Sequence, residues 1–171
     1  SLLLALSKRF GERANVNLML RQERVDRKLL PPVPYLGFDL RLIREKNLFL
    51  KGNVARNYHL PSLNDLYWQP GGNPDLHPEE GMSYELGLEY LAGTAKSGFT
   101  GGLTMYRSDI QHWIIWIPSY RGYWEPKNIR KVVSQGAELN ARFSGQVGGL
   151  HVTAGGTYAY TSSVNYGDPL I

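Results

Sequence analysis

The fold of this chain is decided by a stretch in which apolar and polar residues alternate, SYELGLEYL at positions 83–91. Leu86 and Leu88 fall on one side of an extended chain, and Glu85 and Glu89 fall on the other. Successive residues of a strand point to opposite faces, so this two-residue period is typical of a half-exposed β-strand. The stretch therefore predicts a strand with one apolar face and one polar face.

The same period recurs along the whole chain, for example in GFDLRLI (37–43), GAELNARF (136–143) and LHVTAGGTYAY (150–160). Together these runs predict about eight strands, near 1–9, 16–25, 36–43, 48–56, 82–91, 99–110, 131–143 and 150–161. Strands in globular proteins usually have about five or six residues. The predicted lengths instead match the roughly 9–11 residues that a tilted strand needs to cross a bilayer.

The connections between the predicted strands alternate between short and long. Short, Gly- or Asn-containing turns occupy 11–15, 45–47, 92–98 and 144–149, and long connections occupy 26–35, 57–81, 111–130 and the region after 161. In an up-and-down meander, every short turn then lies at one end and every long loop at the other. That asymmetry is typical of outer-membrane barrels, which have short periplasmic turns and long extracellular loops.

Aromatic residues follow the same division between the two ends. Phe10, Tyr90, Phe99 and Phe143 all sit beside short turns, where an aromatic girdle at the inner membrane interface is expected. Tyr158 and Tyr160 sit toward the other end of their strand.

Composition excludes several classes of function. The 171 residues contain no cysteine, which excludes disulfides and thiolate metal sites, and a scattered net charge of +4 argues against nucleic-acid binding. No apolar run approaches the roughly 18 residues of a membrane helix. No nucleophile motif or phosphate loop is present, so no enzyme is predicted. The four histidines lack metal-ligand spacing, so the sequence predicts no metal site and no cofactor.

An ordered set of short motifs runs through most of residues 48–143. The set comprises a loop motif of Asn73, Pro74, Leu76, Pro78 and Glu79, then Glu85, then Tyr106, Asp109 and Ile110, and finally Gly136 with Glu138. In this order it resembles TonB-dependent outer-membrane receptors of the cobalamin or siderophore type. The two prolines stop any helix or paired strand, so the loop motif is predicted to be a rigid structural turn. Gly136 is predicted to let its strand bend.

The resemblance implies an all-β fold, an antiparallel up-and-down transmembrane β-barrel of about 22 strands. Residues 1–171 would supply about eight consecutive strands as part of one barrel domain, and the plug domain and C-terminal strands are expected to lie outside this chain. The protein would then sit in the outer membrane, in contact with its lipid. Edges left unpaired in such a partial barrel would make the isolated segment unstable.

The function implied by the resemblance is uptake of a scarce small-molecule nutrient, not catalysis. The nutrient binds at the extracellular loops, and the TonB complex acts through the plug. Cobalamin is the first expected cargo, a ferric siderophore the second and an oligosaccharide the third. A surface lipoprotein that caps the loops is a further candidate partner.

Candidate ligand or partner contacts lie among the aromatic residues of the long loops. Rigid aromatics give large contact areas at little cost in conformational entropy, which is why binding sites are rich in them. The predicted contacts are Tyr67, Trp68, Tyr120, Tyr123 and Trp124, whereas Trp113 and Trp116 are assigned mainly to an outer aromatic belt.

Polar residues of the alternating strands are predicted to face the barrel lumen. The chief ones are Arg41, Glu85, Glu138 and Arg142. Together with Arg21, Arg24, Lys51, Arg56 and Arg107, the two arginines would give a cationic lumen or mouth that suits an anionic cargo.

Two other architectures satisfy the same alternation. Eight strands can close into a self-contained outer-membrane barrel, and a soluble β-sandwich binding module alternates with its apolar faces turned inward. The surroundings of four apolar residues distinguish a transmembrane barrel wall from a soluble sandwich. In a barrel wall they face lipid, and in a sandwich they contact one another in a closed core. The four are Leu40, Leu86, Leu139 and Val152.

Overall fold

A computed structural model describes residues 1–25, 27–43, 45–94 and 97–166, without the side chains of Arg130 and Val147. Within these ranges the chain forms ten strands and one short helix. The elements are β1 (Leu2–Phe10), β2 (Ala14–Gln22), β3 (Arg24–Val25), β4 (Lys28–Leu29), β5 (Val33–Ile43), β6 (Asn47–His59), α1 (Leu63–Tyr67), β7 (Glu79–Gly93), β8 (Ser97–Pro118), β9 (Trp124–Val147) and β10 (Leu150–Tyr166). No helix in the described ranges is long and apolar enough to span a membrane.

Eight of the strands form one antiparallel sheet in the order β1-β2-β5-β6-β7-β8-β9-β10. Each long strand pairs with its neighbours along the chain, so the predicted up-and-down meander is confirmed. β3 and β4 form a small hairpin of their own within the connection from β2 to β5. We call the end of the sheet that carries 60–78 and 119–123 the loop end, and the end that carries 11–13 and 148–149 the turn end.

The register lines up residues of like polarity across the sheet. Leu40, Leu50, Leu88, Leu103 and Leu139 are successive cross-strand partners, and partners across an antiparallel ladder share a face. This apolar face is open, since 54% of Leu139 is exposed. Side chains of this size are left exposed in a continuous row where lipid, not water, is the surrounding medium.

The opposite face of the sheet is polar, and its charged groups pair across strands. Lys51 forms an ion pair with Glu89, and the Asn53 amide donates to Glu85 at 2.8 Å. Thr104 and Glu138 continue the same face on β8 and β9. This is the face that lines the hydrated lumen of the barrel.

The two alternative architectures are excluded by this arrangement. Leu86 and Val152 are 45% and 37% exposed, and the described residues form no second sheet large enough to cover them, which rules out a sandwich. A self-contained barrel requires β1 to pair with β10, but these strands are the two edges of an open sheet. The fold is therefore a segment of the wall of a larger barrel.

The aromatic residues beside the short turns lie on the apolar face near the turn end, as predicted. Phe99 pairs with Phe143, and the rings of Tyr90 and Phe99 lie 6.5 Å apart between centroids. Phe10 occupies the corresponding end of β1 and is 51% exposed. Together they form the expected girdle at one edge of the apolar band.

The predicted long loop at 111–130 is wrong. β8 continues to Pro118 and β9 begins at Trp124, so only 119–123 form the connection. The segment WIIWI (113–117) is apolar at every position, so alternation stops although the strand does not. At 22 and 24 residues, β8 and β9 are about twice the length needed to cross a bilayer, so their hairpin projects beyond it.

Candidate functional site

The long loop 60–78 begins with helix α1, which is closed by its own side chains. Ser62 is the N-cap: its backbone N–H and Oγ both donate to Oδ2 of Asp65, at 2.8 and 2.7 Å. The Asp65 N–H donates back to Ser62 Oγ at 3.1 Å, which completes a capping box. After the helix, the backbone N–H of Asn73 donates a hydrogen bond to the Asp65 carbonyl at 2.8 Å. These bonds give the loop a compact, defined shape.

The loop is attached to the β8–β9 hairpin by residues of the loop motif. The Asn73 amide donates to the Pro126 carbonyl at 3.3 Å, and Glu79 accepts the Ile114 N–H at 2.8 Å. Leu76 is only 8% exposed. Pro74 is exposed, and Pro78 is half-buried just ahead of β7. The contacts of Asn73 and Glu79 fix the loop against the hairpin at two separate points.

The main group of buried apolar residues in the described ranges lies on β9. Pro126 is fully buried, and Ile129, Val132 and Val133 are 4%, 3% and 6% exposed. They lie on β9 beyond the leucine row, toward the loop end. The core of this segment is therefore the covered part of the hairpin, not the face that crosses the membrane.

The predicted aromatic contacts all lie at the loop end, and most of them are open to solvent. Tyr67, Trp68, Tyr120 and Trp124 are 63%, 54%, 90% and 59% exposed, and Tyr123 is half-buried. We call these five residues the outer aromatic cluster. Exposed aromatics in this number on a folded loop and hairpin are a feature of binding surfaces.

The structure brings the two segments of the outer aromatic cluster into contact. Gly71 packs against the Trp124 carbonyl, and a side chain at Gly71 would also lie 3.2 Å from Cδ2 of Tyr123. At the hairpin tip, the Arg121 guanidinium donates to the hydroxyls of Tyr120 at 2.9 Å and Tyr123 at 3.3 Å. The cluster thus belongs to one joined surface of loop and hairpin.

Trp116, which the sequence assigns mainly to an outer aromatic belt, also contacts loop 60–78. Its indole N–H donates to Oδ1 of Asp65 at 2.9 Å, beneath loop 60–78. Trp116 is therefore a further attachment between the hairpin and the loop. Sequence reasoning missed it because its partner, Asp65, is 51 residues away.

The four predicted lumen residues lie on the polar face of the sheet. Glu85 accepts the Asn53 amide, and Arg41 donates to Asn47 at 2.9 Å and lies over the Phe49 ring at 5.4 Å. Glu138 and Arg142 are exposed on β9, and no group in the described ranges bonds to either side chain. These two charges are accessible from the lumen.

The predicted cationic lumen is not observed. Arg56 and Arg107 lie on the same side of the sheet as the leucine row, not on the polar face. There Arg56 pairs with Glu80 at 2.8 Å, and Arg107 pairs with Asp109 at 3.0 Å. On the polar face Lys51 is already paired with Glu89. Acidic and basic groups are interleaved there, because the strands that carry the cations also carry the carboxylates.

Asp65 makes attachment of the loop sensitive to acid. Burial acts to raise the pKa of this carboxyl, but the hydrogen bonds from Ser62 and Trp116 outweigh it, so the pKa lies below its ordinary value. A carboxyl whose pKa is lowered by folding stabilises the folded structure at pH values above its pKa in the unfolded chain, about 3.9. That stabilisation is lost as the pH falls through the pKa of the folded state.

We expect loop 60–78 to loosen as pH falls below about 4, which is the pKa of Asp in an unfolded chain. The substitution Asp65→Asn should destabilise the attached loop by about 1 kcal/mol at all pH values. Pepsin cleavage within the loop, normalised to cleavage of an unstructured peptide, measures the opening between pH 5 and pH 2. Wild type should gain sensitivity as pH falls, whereas Asp65→Asn should be cleaved at a nearly constant rate. Identical pH profiles for the two proteins would contradict the assignment.

Comparisons with known proteins agree with the motifs in the sequence. A family model described as TonB dependent receptor-like, beta-barrel matches residues 3–170. The chain is 37% identical over 101 residues to the vitamin B12 transporter BtuB of Photobacterium profundum, covering 57% of this chain and 16% of that transporter. It is 34% identical over 92 residues to a BtuB of Vibrio vulnificus, covering 53% and 14%.

Two solved structures share the fold. The copper transporter OprC superposes with a TM-score of 0.74 at 17% identity, over 95% of this chain and 28% of OprC. The siderophore receptor PirA from Pseudomonas aeruginosa gives 0.69 at 19% identity, over 94% of this chain and 38% of PirA. The chain thus spans about a sixth of its sequence relatives. The strand register, the open apolar face and the family match together place this chain among the TonB-dependent receptor β-barrels of the Gram-negative outer membrane.

Proposed function

We propose that this chain forms part of the wall and outer loops of a receptor that captures a cobalamin-type corrinoid for TonB-dependent uptake. The vitamin B12 transporters that match at 37% and 34% identity support this cargo, although each match covers only a small part of the transporter. In this proposal TonB acts through a plug domain inside the barrel. Glu138 and Arg142, exposed on the lumen face, are available to polar groups of that plug.

The observation that carries the proposal is the outer aromatic cluster. Tyr67 and Trp68 on the loop, and Tyr120 and Trp124 on the hairpin, are more than half exposed at the end farthest from the turns. A corrinoid presents a broad, partly apolar ring system edged with amides. Tyr and Trp suit such a ligand because each combines a flat apolar body with a polar group.

The charges of the lumen favour the corrinoid over an anionic ferric siderophore. The basic groups of the polar face are interleaved with carboxylates, and Lys51 is paired with Glu89. A steering field for an anion requires an excess of unpaired cations, and on this face the charge of Lys51 is already offset by Glu89. The siderophore therefore stands as the alternative outcome of the binding experiment.

Replacing Trp68 or Trp124 with alanine should weaken cyanocobalamin binding at least about thirtyfold, since truncating an aromatic binding hot spot costs about 2 kcal/mol or more. Binding would be measured by calorimetry on the full-length receptor in detergent. Tyr158→Ala is the matched control, because Tyr158 is 70% exposed but lies on the lipid-facing side of β10.

Tyr158→Ala should bind like wild type. Unchanged affinity in both tryptophan variants would refute the role of the cluster. Binding of a ferric siderophore in place of cyanocobalamin would refute the corrinoid as the cargo, but it would agree with the proposed role as a nutrient receptor.

A further inference from the structure

Two histidines from distant parts of the sequence lie side by side at the loop end. His77 belongs to loop 60–78 and His112 to β8, and their rings lie 5.6 Å apart between centroids, inclined by 43°. Both residues are exposed. The two rings therefore bring together two elements of the loop end, loop 60–78 and β8.

A single side chain on β9 holds both backbones in place. The Asn128 amide group donates to the His77 carbonyl at 3.0 Å and to the His112 carbonyl at 2.6 Å. Its oxygen accepts the His77 N–H at 2.8 Å. The spacing of the two backbones is therefore set by hydrogen bonds to Asn128, and it brings the two imidazoles within reach of each other.

His112 also has an unusual backbone conformation. Its φ is 56°, in the left-handed region that residues other than glycine seldom adopt. Such strain persists where the surrounding structure fixes it, and it is concentrated at functional sites. Here the strained residue is the one that presents its ring to His77.

The ring separation suits a shared metal ion. With Zn–N distances of about 2.0–2.1 Å and about 1.1 Å from nitrogen to ring centre, each centroid lies about 3.2 Å from the ion. Two imidazoles on one tetrahedral ion then have centroids about 5.2 Å apart, and a wider angle of about 120° gives about 5.5 Å. Neutral imidazole is a preferred ligand of Zn²⁺, Cu²⁺ and Ni²⁺.

We propose that His77 and His112 form a two-imidazole site for a divalent transition-metal ion, with water completing the coordination. In the described ranges no cluster of three or more His, Asp or Glu could hold a metal, so this site rests on two protein ligands and its affinity is moderate. A bound ion would join loop 60–78 to β8 and stiffen the surface that carries the outer aromatic cluster. The proposal is independent of which nutrient the receptor carries.

The test is titration of the metal-free full-length receptor in detergent with zinc chloride, followed by calorimetry. We expect one binding event to be lost or weakened at least about tenfold in His77→Gln and in His112→Gln, since even outer-shell substitutions cost about 10- to 100-fold in metal affinity. His151→Gln is the matched control, because His151 is an exposed histidine at the turn end, near Ser144. It should leave that event unchanged.

Electron paramagnetic resonance of the Cu²⁺-loaded receptor gives a second readout that a merely structural role would not alter. Wild type should show coupling to two nitrogens that is reduced to one in either single variant. Heat-modifiable migration on a gel verifies that every variant is folded. Wild-type zinc affinity in the double variant His77→Gln/His112→Gln, or no zinc binding by wild type, would overturn the proposal.

Discussion

Replacing Leu139 with arginine is expected to destabilise the barrel by about 2–4 kcal/mol, the cost of an arginine on the lipid face near the bilayer midplane. Leu139 is 54% exposed on the apolar face, between its cross-strand partners Leu103 and Tyr158. Phe143 marks the girdle on one side of it along β9. A guanidinium here has no aqueous surface within easy reach, so it must be dehydrated or distort the bilayer.

The matched control is Asn140→Arg, one residue farther along the same strand. Asn140 pairs with Gly102 and Thr157 on the polar face, so an arginine there extends into the hydrated lumen. Guanidinium chloride unfolding of the full-length receptor in lipid vesicles measures both variants. Equal destabilisation by the two arginines would mean that the faces of this sheet are assigned incorrectly.

Replacing Gly136 with valine should cost about 3 kcal/mol or prevent assembly, since overpacking costs about 1–3 kcal/mol and more where backbone must move. A side chain at Gly136 would lie 2.5 Å from the hydroxyl of Tyr106 and closer still to the backbone carbonyl of Tyr160. The carbonyl belongs to β10, which pairs continuously with β9, so it cannot yield without breaking the ladder. The same unfolding experiment measures the loss.

Gly156→Ala is the control for the glycine substitution. Gly156 lies on β10, and a methyl group there would have open space around it. It should change stability by less than about 0.5 kcal/mol, as surface substitutions generally do. Wild-type stability in Gly136→Val would show that Tyr106 and β10 are not packed as described. Gly136 lies within the continuous pairing of β9, where Tyr106 and β10 leave little room for a side chain.

The strands of this fold are predictable because their two faces meet different media. Leu86 and Leu88 lie on the apolar, lipid-facing side and Glu85 and Glu89 on the polar side, so a change of face is visible in the sequence at every residue. Where the environment is the same on both faces, that signal disappears. Residues 113–117 form strand with no alternation, and the sequence predicted a loop there.

The candidate site was predictable in part. Aromatic composition indicated the five residues of the outer aromatic cluster, but not that loop 60–78 contacts the hairpin tip. Helix α1 is too short for a hydrophobic period, and its one local signal was Ser62 followed three residues later by Asp65. The approach of His77 to His112 depends on the register of β8 and on Asn128, so no local pattern could reveal it.

The long pairing of β8 with β9 limits how the loop end can rearrange. The two strands pair from Ser97 and Gly145 to Pro118 and Trp124, with the left-handed residue His112 between the paired residues Gln111 and Trp113. Separating the two strands of the tip would break several backbone hydrogen bonds at once. Rearrangement at the loop end is therefore expected in the segments around the hairpin, while β8 and β9 stay paired and move only as a unit.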